Sequence, residues 1–127
     1  MPFPRRGEIY MLEFRAVVGS EMEGWHPALI IQNNVGNRAS PVTIVAAITS
    51  KLSAARLPTA VLVEPRDSGL PLRSLILCGQ LVTIDKSRLG ARAGLLSSER
   101  MEAVDRALAI SLGLVPVPRP RSDAGLE

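Results

Sequence analysis

Between Gly7 and Ile84 the apolar residues come in short runs. After Ser97 their spacing changes once, to that of a helix. That single change of period limits the folds open to the chain more than any other feature. Gly7 to Phe14 mixes alternation with apolar residues and reads as a strand. Pro27 to Ile31 is an apolar run with a proline at its head, where a strand tolerates one, and reads as a buried strand. Val42 to Thr49 is rich in β-branched residues, and Thr59 to Glu64 reads as a further strand. Arg73 to Ile84 is the longest candidate. Both of its alternating sets are largely apolar, which implies burial on two faces for part of its length.

The runs are separated by a polar loop from Arg15 to His26, a turn cluster at Asn33 to Asn37, a basic loop at Lys51 to Arg56 and a turn at Pro65 to Gly69. Ser97 then caps a helix, with Glu99 at the positive end of its dipole. Met101, Val104, Leu108 and Leu112 make one stripe, with Ala103, Ala107 and Ile110 beside it, and Gly113 is a natural stop. Five or so short strands followed by one helix imply a mainly β chain: a small, partly closed antiparallel barrel with a C-terminal helix. The helix has no strand alternating with it, which argues against a parallel α/β fold.

A chain of 127 residues suits one domain, expected over residues 1–115, followed by a proline-rich tail over 116–127 that is extended or disordered. Hydrophobic residues make up 46% and aromatics only 3%, so the core is built from Val, Leu, Ile and Ala. The single cysteine, Cys78, leaves no internal disulfide and points to a reducing compartment. No apolar run has membrane-spanning length, and MPFPRRGE lacks a hydrophobic signal region, so a soluble cytoplasmic protein is expected. The net charge is +3. The surplus lies before Ser98, where 11 Lys/Arg face 7 Asp/Glu, against 4 and 5 afterwards. That suits a polyanion partner without requiring one.

One histidine and one cysteine, far apart, make no metal site at ligand spacing, and neither GxxxxGK[ST] nor GxGxxG occurs. No metal or cofactor is expected. What remains is the stretch GSEMEGWHP, where the only histidine, His26, stands beside the only tryptophan, Trp25, behind Glu21 and Glu23. His26 is the one side chain whose ordinary titration lies near neutrality. On composition alone it is a packing residue at a loop-to-strand junction, Trp25 a lid over apolar surface, and Thr49 a half-buried strand residue. Lys51 to Arg56 is then a solvated face.

The ordered set RGEIYMLEF, VGSEMEGWHPALIIQNNVGNRASPVTIVAAITSKL, LPT, ILCGQLVTIDKSRLG and VDRALAISLGL resembles the MazF/PemK family of toxin endoribonucleases, from about Arg6 to Leu114. The resemblance implies an SH3-like barrel of the MazF/PemK/CcdB type. It also implies a homodimer that cuts single-stranded RNA at short sequences without metal and is restrained by a MazE-like antitoxin. In such cleavage the ribose 2′-OH attacks phosphorus and the 5′-oxygen leaves, giving 2′,3′-cyclic phosphate and 5′-OH ends. The step needs a base, an acid and donors to the phosphoryl oxygens.

Relatives carry G-x-R-P before the second strand. Here Gly24-Trp25-His26-Pro27 puts His26 in the arginine's place, a group that can exchange protons near pH 7. Thr49, in AAITS, matches the family's hydroxyl donor. CGQLVTID has Gly79 where many relatives have a carboxylate, so Glu21 becomes the acid expected to work with His26. RNA contacts carried over are Ser20, Leu57 and Gln80, with Lys51 and Arg56 attracting phosphates and Trp25 available to stack a base. Two other readings share the fold: a toxin that binds DNA gyrase without catalysis, and an inactive decoy that binds antitoxin.

Overall fold

The computed structural model describes residues 3–15 and 23–118. Six strands, β1 (Glu8–Phe14), β2 (Gly24–Ile30), β3 (Val42–Thr49), β4 (Ala60–Val63), β5 (Ser74–Asp85) and β6 (Leu89–Leu95), form one sheet in the order β4-β5-β3-β2-β1-β6. Every neighbouring pair is antiparallel. Helices α1 (Asn34–Ala39) and α2 (Pro65–Ser68) and a short 3-10 turn at Lys86–Arg88 interrupt them, and α3 (Ser98–Ser111) follows the last strand. The sheet curls until its two edges approach. Gly94 on β6 lies against the backbone of Ser68, just after β4, and the Ser97 N–H donates to the Asp67 carbonyl at 2.8 Å. The outcome is the expected mainly β, partly closed barrel with a C-terminal helix.

Alternation along the central strands sends side chains to two faces. Ile9, Leu29, Ala46 and Ile48 join Val61, Val63, Ile76 and Cys78 in one aliphatic cluster. Helix α3 closes that cluster with Val104 and Ala107, while Met101 and Leu108 pack at its margin. Leu12, Phe14, Ala28, Ile30, Val45, Ala47 and Ile84 form a second cluster on the other face. Residues 74–78 of β5 are all buried and Gly79 and Gln80 are exposed, as the two-faced apolar pattern of that stretch implies. Leu112, expected on the helical stripe, is 60% exposed, because it is the residue at which α3 ends. Ser97 does cap the helix, its hydroxyl accepting from the Arg100 N–H.

Four sequence expectations are corrected. Trp25 and His26 belong to β2 rather than to the preceding loop, since their partners Glu13 and Leu12 on β1 extend the ladder past Pro27. Asn33 begins a short helix instead of a turn, its Oδ1 accepting from Gly36 N–H at 2.8 Å. Pro65 to Ser68 is a single helical turn, held by reciprocal bonds between Glu64 and Asp67 and ended by Gly69 at φ +78°. Strand β6, LGARAGL, was not expected at all. Its poor strand composition is overridden by the open edge of β1, which it meets through an irregular register.

One buried polar knot braces this frame. Asn37 is fully buried; its Oδ1 accepts from Gln32 and Thr43, and its Nδ2 donates to the Gln32 carbonyl and to Asn34. Its own carbonyl accepts from Lys86 Nζ at 2.6 Å. Every polar atom of the side chain is satisfied, so the knot braces the core where an unpaired amide would weaken it.

Candidate active site

The register brings the site together. Ala28 pairs with Ala47 across β2 and β3, so two residues further along each strand His26 and Thr49 emerge on one face. Strand β5 supplies the floor. Its ladder with β3 jumps from Leu81, opposite Ala46, to Leu77, opposite Ala47. The intervening Cys78, Gly79 and Gln80 are freed from that pairing, and Gly79 and Gln80 are presented outward. Such bulges re-aim side chains at sites. The loop after β3 adds the far wall.

The resulting open groove has a volume of about 420 Å³ and is lined by Glu23, His26, Thr49, Lys51, Ser53, Ala54, Leu57, Thr59, Ala60, Leu77, Gly79 and Gln80. His26 is held by two contacts. Its Nε2 lies 2.7 Å from the Glu23 carbonyl, and its ring meets the Phe14 ring edge-on, with centroids 6.0 Å apart and planes at 67°. Thr49 Oγ1 accepts from the Lys51 N–H at 3.1 Å, which leaves its hydroxyl proton free to donate into the groove. Lys51 and His26 can bear positive charge, Thr49, Ser53 and Thr59 offer hydroxyls, and Glu23 brings a carboxylate. These groups suit a phosphodiester anion flanked by a group that must gain or lose a proton.

Five of the residues singled out in the sequence, His26, Thr49, Lys51, Leu57 and Gln80, therefore meet in one place. Arg56 is on the same loop but does not line the groove. Trp25 does not either: it alternates with His26 along β2, and its ring rests over Gly90 on β6, 58% exposed. Ser20 and Glu21 lie outside the described residues. Sequence reasoning passed over Glu23, Ser53 and Thr59. Glu23 was visible beside Glu21, but nothing in the sequence placed it on the same side as His26. Cys78 takes no part, since it is buried in the core and burial pushes its thiol up to about 12. Among the described residues no group of three or more His, Cys, Asp or Glu is placed to hold a metal ion, and no helix is long and apolar enough to cross a membrane.

The fold is thus a small curled barrel with an open groove of cation, hydroxyl and imidazole, a lining whose chemistry suits a phosphodiester. The chain belongs to the PemK-like, MazF-like toxins of type II toxin–antitoxin systems, whose family model matches residues 5–112. It is 47% identical over 111 residues to Endoribonuclease EndoA of Bacillus subtilis, covering 87% of this chain and 96% of that protein. A solved mycobacterial endoribonuclease in complex with its cognate antitoxin is 29% identical, with a TM-score of 0.74 over 92% of this chain and 99% of its own. MazF from Deinococcus radiodurans shares the fold at a TM-score of 0.74 and 21% identity, over 89% of this chain and 99% of its own.

Proposed function

We propose that this toxin is an endoribonuclease that cuts single-stranded RNA without a metal ion, at the groove between β2, β3 and β5. The observation that carries the reading is the convergence of His26 and Thr49 in one open groove of a chain 47% identical to an endoribonuclease. The phosphate lies between them. Thr49 donates to a phosphoryl oxygen, Lys51 offsets its charge, and His26 exchanges the proton. The ribose 2′-oxygen bonds to phosphorus as the bond to the 5′-oxygen breaks, leaving a 2′,3′-cyclic phosphate and a 5′-OH end. DNA lacks the nucleophile and is spared. Leu57 and Gln80 flank the phosphate position and contact bases, and Arg56 adds attraction from the loop, while an RNA contact at Ser20 and a carboxylate at Glu21 working with His26 rest on the resemblance alone.

The toxin acts in the cytoplasm as a homodimer and is silenced by a MazE-like antitoxin; for the antitoxin alone, support comes from the mycobacterial relative solved in complex with its cognate antitoxin. Support for a second copy comes from an apolar depression of about 250 Å³ that shares His26 with the groove. Met11, Pro27, Ile48, Leu70 and Ala93 line it, and Leu72 stands 60% exposed at its rim. The experiment is incubation of antitoxin-free protein with a long RNA in excess EDTA, beside His26→Ala. Site-specific cuts with cyclic-phosphate ends, lost in the variant, support the reading. No cutting by folded wild-type protein would favour a toxin that only binds its target.

A further inference from the structure

His26 is the only imidazole in the chain, and the nitrogen it commits to the protein is visible. Its Nε2 lies 2.7 Å from the Glu23 carbonyl oxygen. A carbonyl oxygen can only accept, so Nε2 must carry a proton. A neutral imidazole has one ring proton, so Nδ1 is left bare, as an acceptor. The contact spans three residues, which requires the chain to fold back tightly between donor and acceptor. Gly24 does this at φ +87°, a conformation that costs side-chain-bearing residues strain. A Cβ there would meet nothing within 4 Å, so what glycine provides is backbone geometry rather than room. The edge of Phe14 restrains the ring plane from a second direction.

We infer that the Glu23 carbonyl, aimed by Gly24, fixes His26 as the Nε2–H tautomer, so that Nδ1 is the nitrogen that takes the 2′-hydroxyl proton during RNA cleavage. This rests on the cleavage reading above. In the step, the proton passes from the 2′-oxygen to Nδ1, the O2′–P bond forms, the P–O5′ bond breaks, and the leaving oxygen takes a proton from water. As Nδ1 gains its proton the ring becomes an imidazolium, and the Nε2–H bond to the carbonyl becomes charge-assisted. The carbonyl therefore stabilises the charge as it develops, without having to move. Glu23 and Gly24 are positioning residues, acting through His26.

The test is nitrogen NMR of the histidine ring, where a single histidine needs no assignment. At a pH where the ring is neutral, wild-type protein should show one tautomer, with Nε2 protonated and Nδ1 bare. A mixture, or protonated Nδ1, would overturn the inference. Gly24→Ala should convert the signal to a mixture and lower kcat about tenfold or more with KM little changed. Unchanged kcat alongside a lost tautomer would also overturn it. Should that variant not fold, His26 is replaced by Nδ1-methylhistidine. Cleavage must then be lost, and wild-type cleavage would exclude Nδ1. If wild-type protein with the expected ring signal cuts no RNA, the cleavage reading fails and takes the role of Nδ1 with it, while the tautomer stands as measured.

Discussion

The carbonyl of Ser68 occupies the place that a side chain on Gly94 would need. This is where the two edges of the sheet meet, and the obstructing atom is backbone, which cannot rotate away. Gly94→Ala must therefore part the seam between β6 and α2. Overpacking of this kind costs about 1–3 kcal/mol. Urea unfolding should show a lower midpoint with a similar slope, and an unchanged midpoint would mean that the seam is looser than its geometry.

The Thr49 hydroxyl has one hydrogen-bonding partner among the described residues, the Lys51 N–H, which its oxygen accepts. Thr49→Ala removes the hydroxyl proposed to donate to the phosphate, so kcat should fall roughly 100-fold or more, the usual loss for one oxyanion donor. Thr49→Ser keeps the donor and should restore most of the rate. Equal loss in both variants would assign Thr49 a packing role.

Lys51 lines the groove and Arg56 does not, although both belong to the same basic loop. Binding of a non-cleavable RNA, followed across salt concentrations, should separate them. Lys51→Ala should reduce the log–log slope by roughly 0.7, the value for one phosphate contact on a single strand. Arg56→Ala should change it less. The reverse order would move the RNA path outward along the loop.

The Cys78 thiol is pushed up to about 12 from 9.0 by burial, with Asp105 adding to the effect. Thiol reagents should react with native protein at pH 8 far more slowly than with denatured protein. The sign for stability follows from the same shift. Between about 9 and about 12 the unfolded chain has lost the thiol proton that the folded chain keeps, so stability falls as pH rises through that window. Cys78→Ala should remove this part of the alkaline slope in pH-dependent unfolding.

Much of this molecule could be read from its residues. The β-branched run at Val42 to Thr49 and the helical stripe after Ser97 announced themselves because period and composition agreed. Strand β6 did not, because LGARAGL has little intrinsic preference for a strand and is recruited by an edge that forms elsewhere. At the site, residue types were legible but sidedness was not. Trp25 and His26 are adjacent in the chain and face opposite ways, which becomes known only once both are placed on β2. Glu23 was passed over for the same reason: a carboxylate three residues before a histidine acquires meaning only when a glycine turns its backbone back upon the ring.

The groove borrows from widely separated parts of the chain. Its walls come from residues 23–60, but Leu77, Gly79 and Gln80 lie on β5, and Lys86 must arrive before the Asn37 knot can close. A ribosome making this protein therefore translates most of the message before a usable groove exists. Fragments released early carry His26 and Thr49 but no floor beneath them.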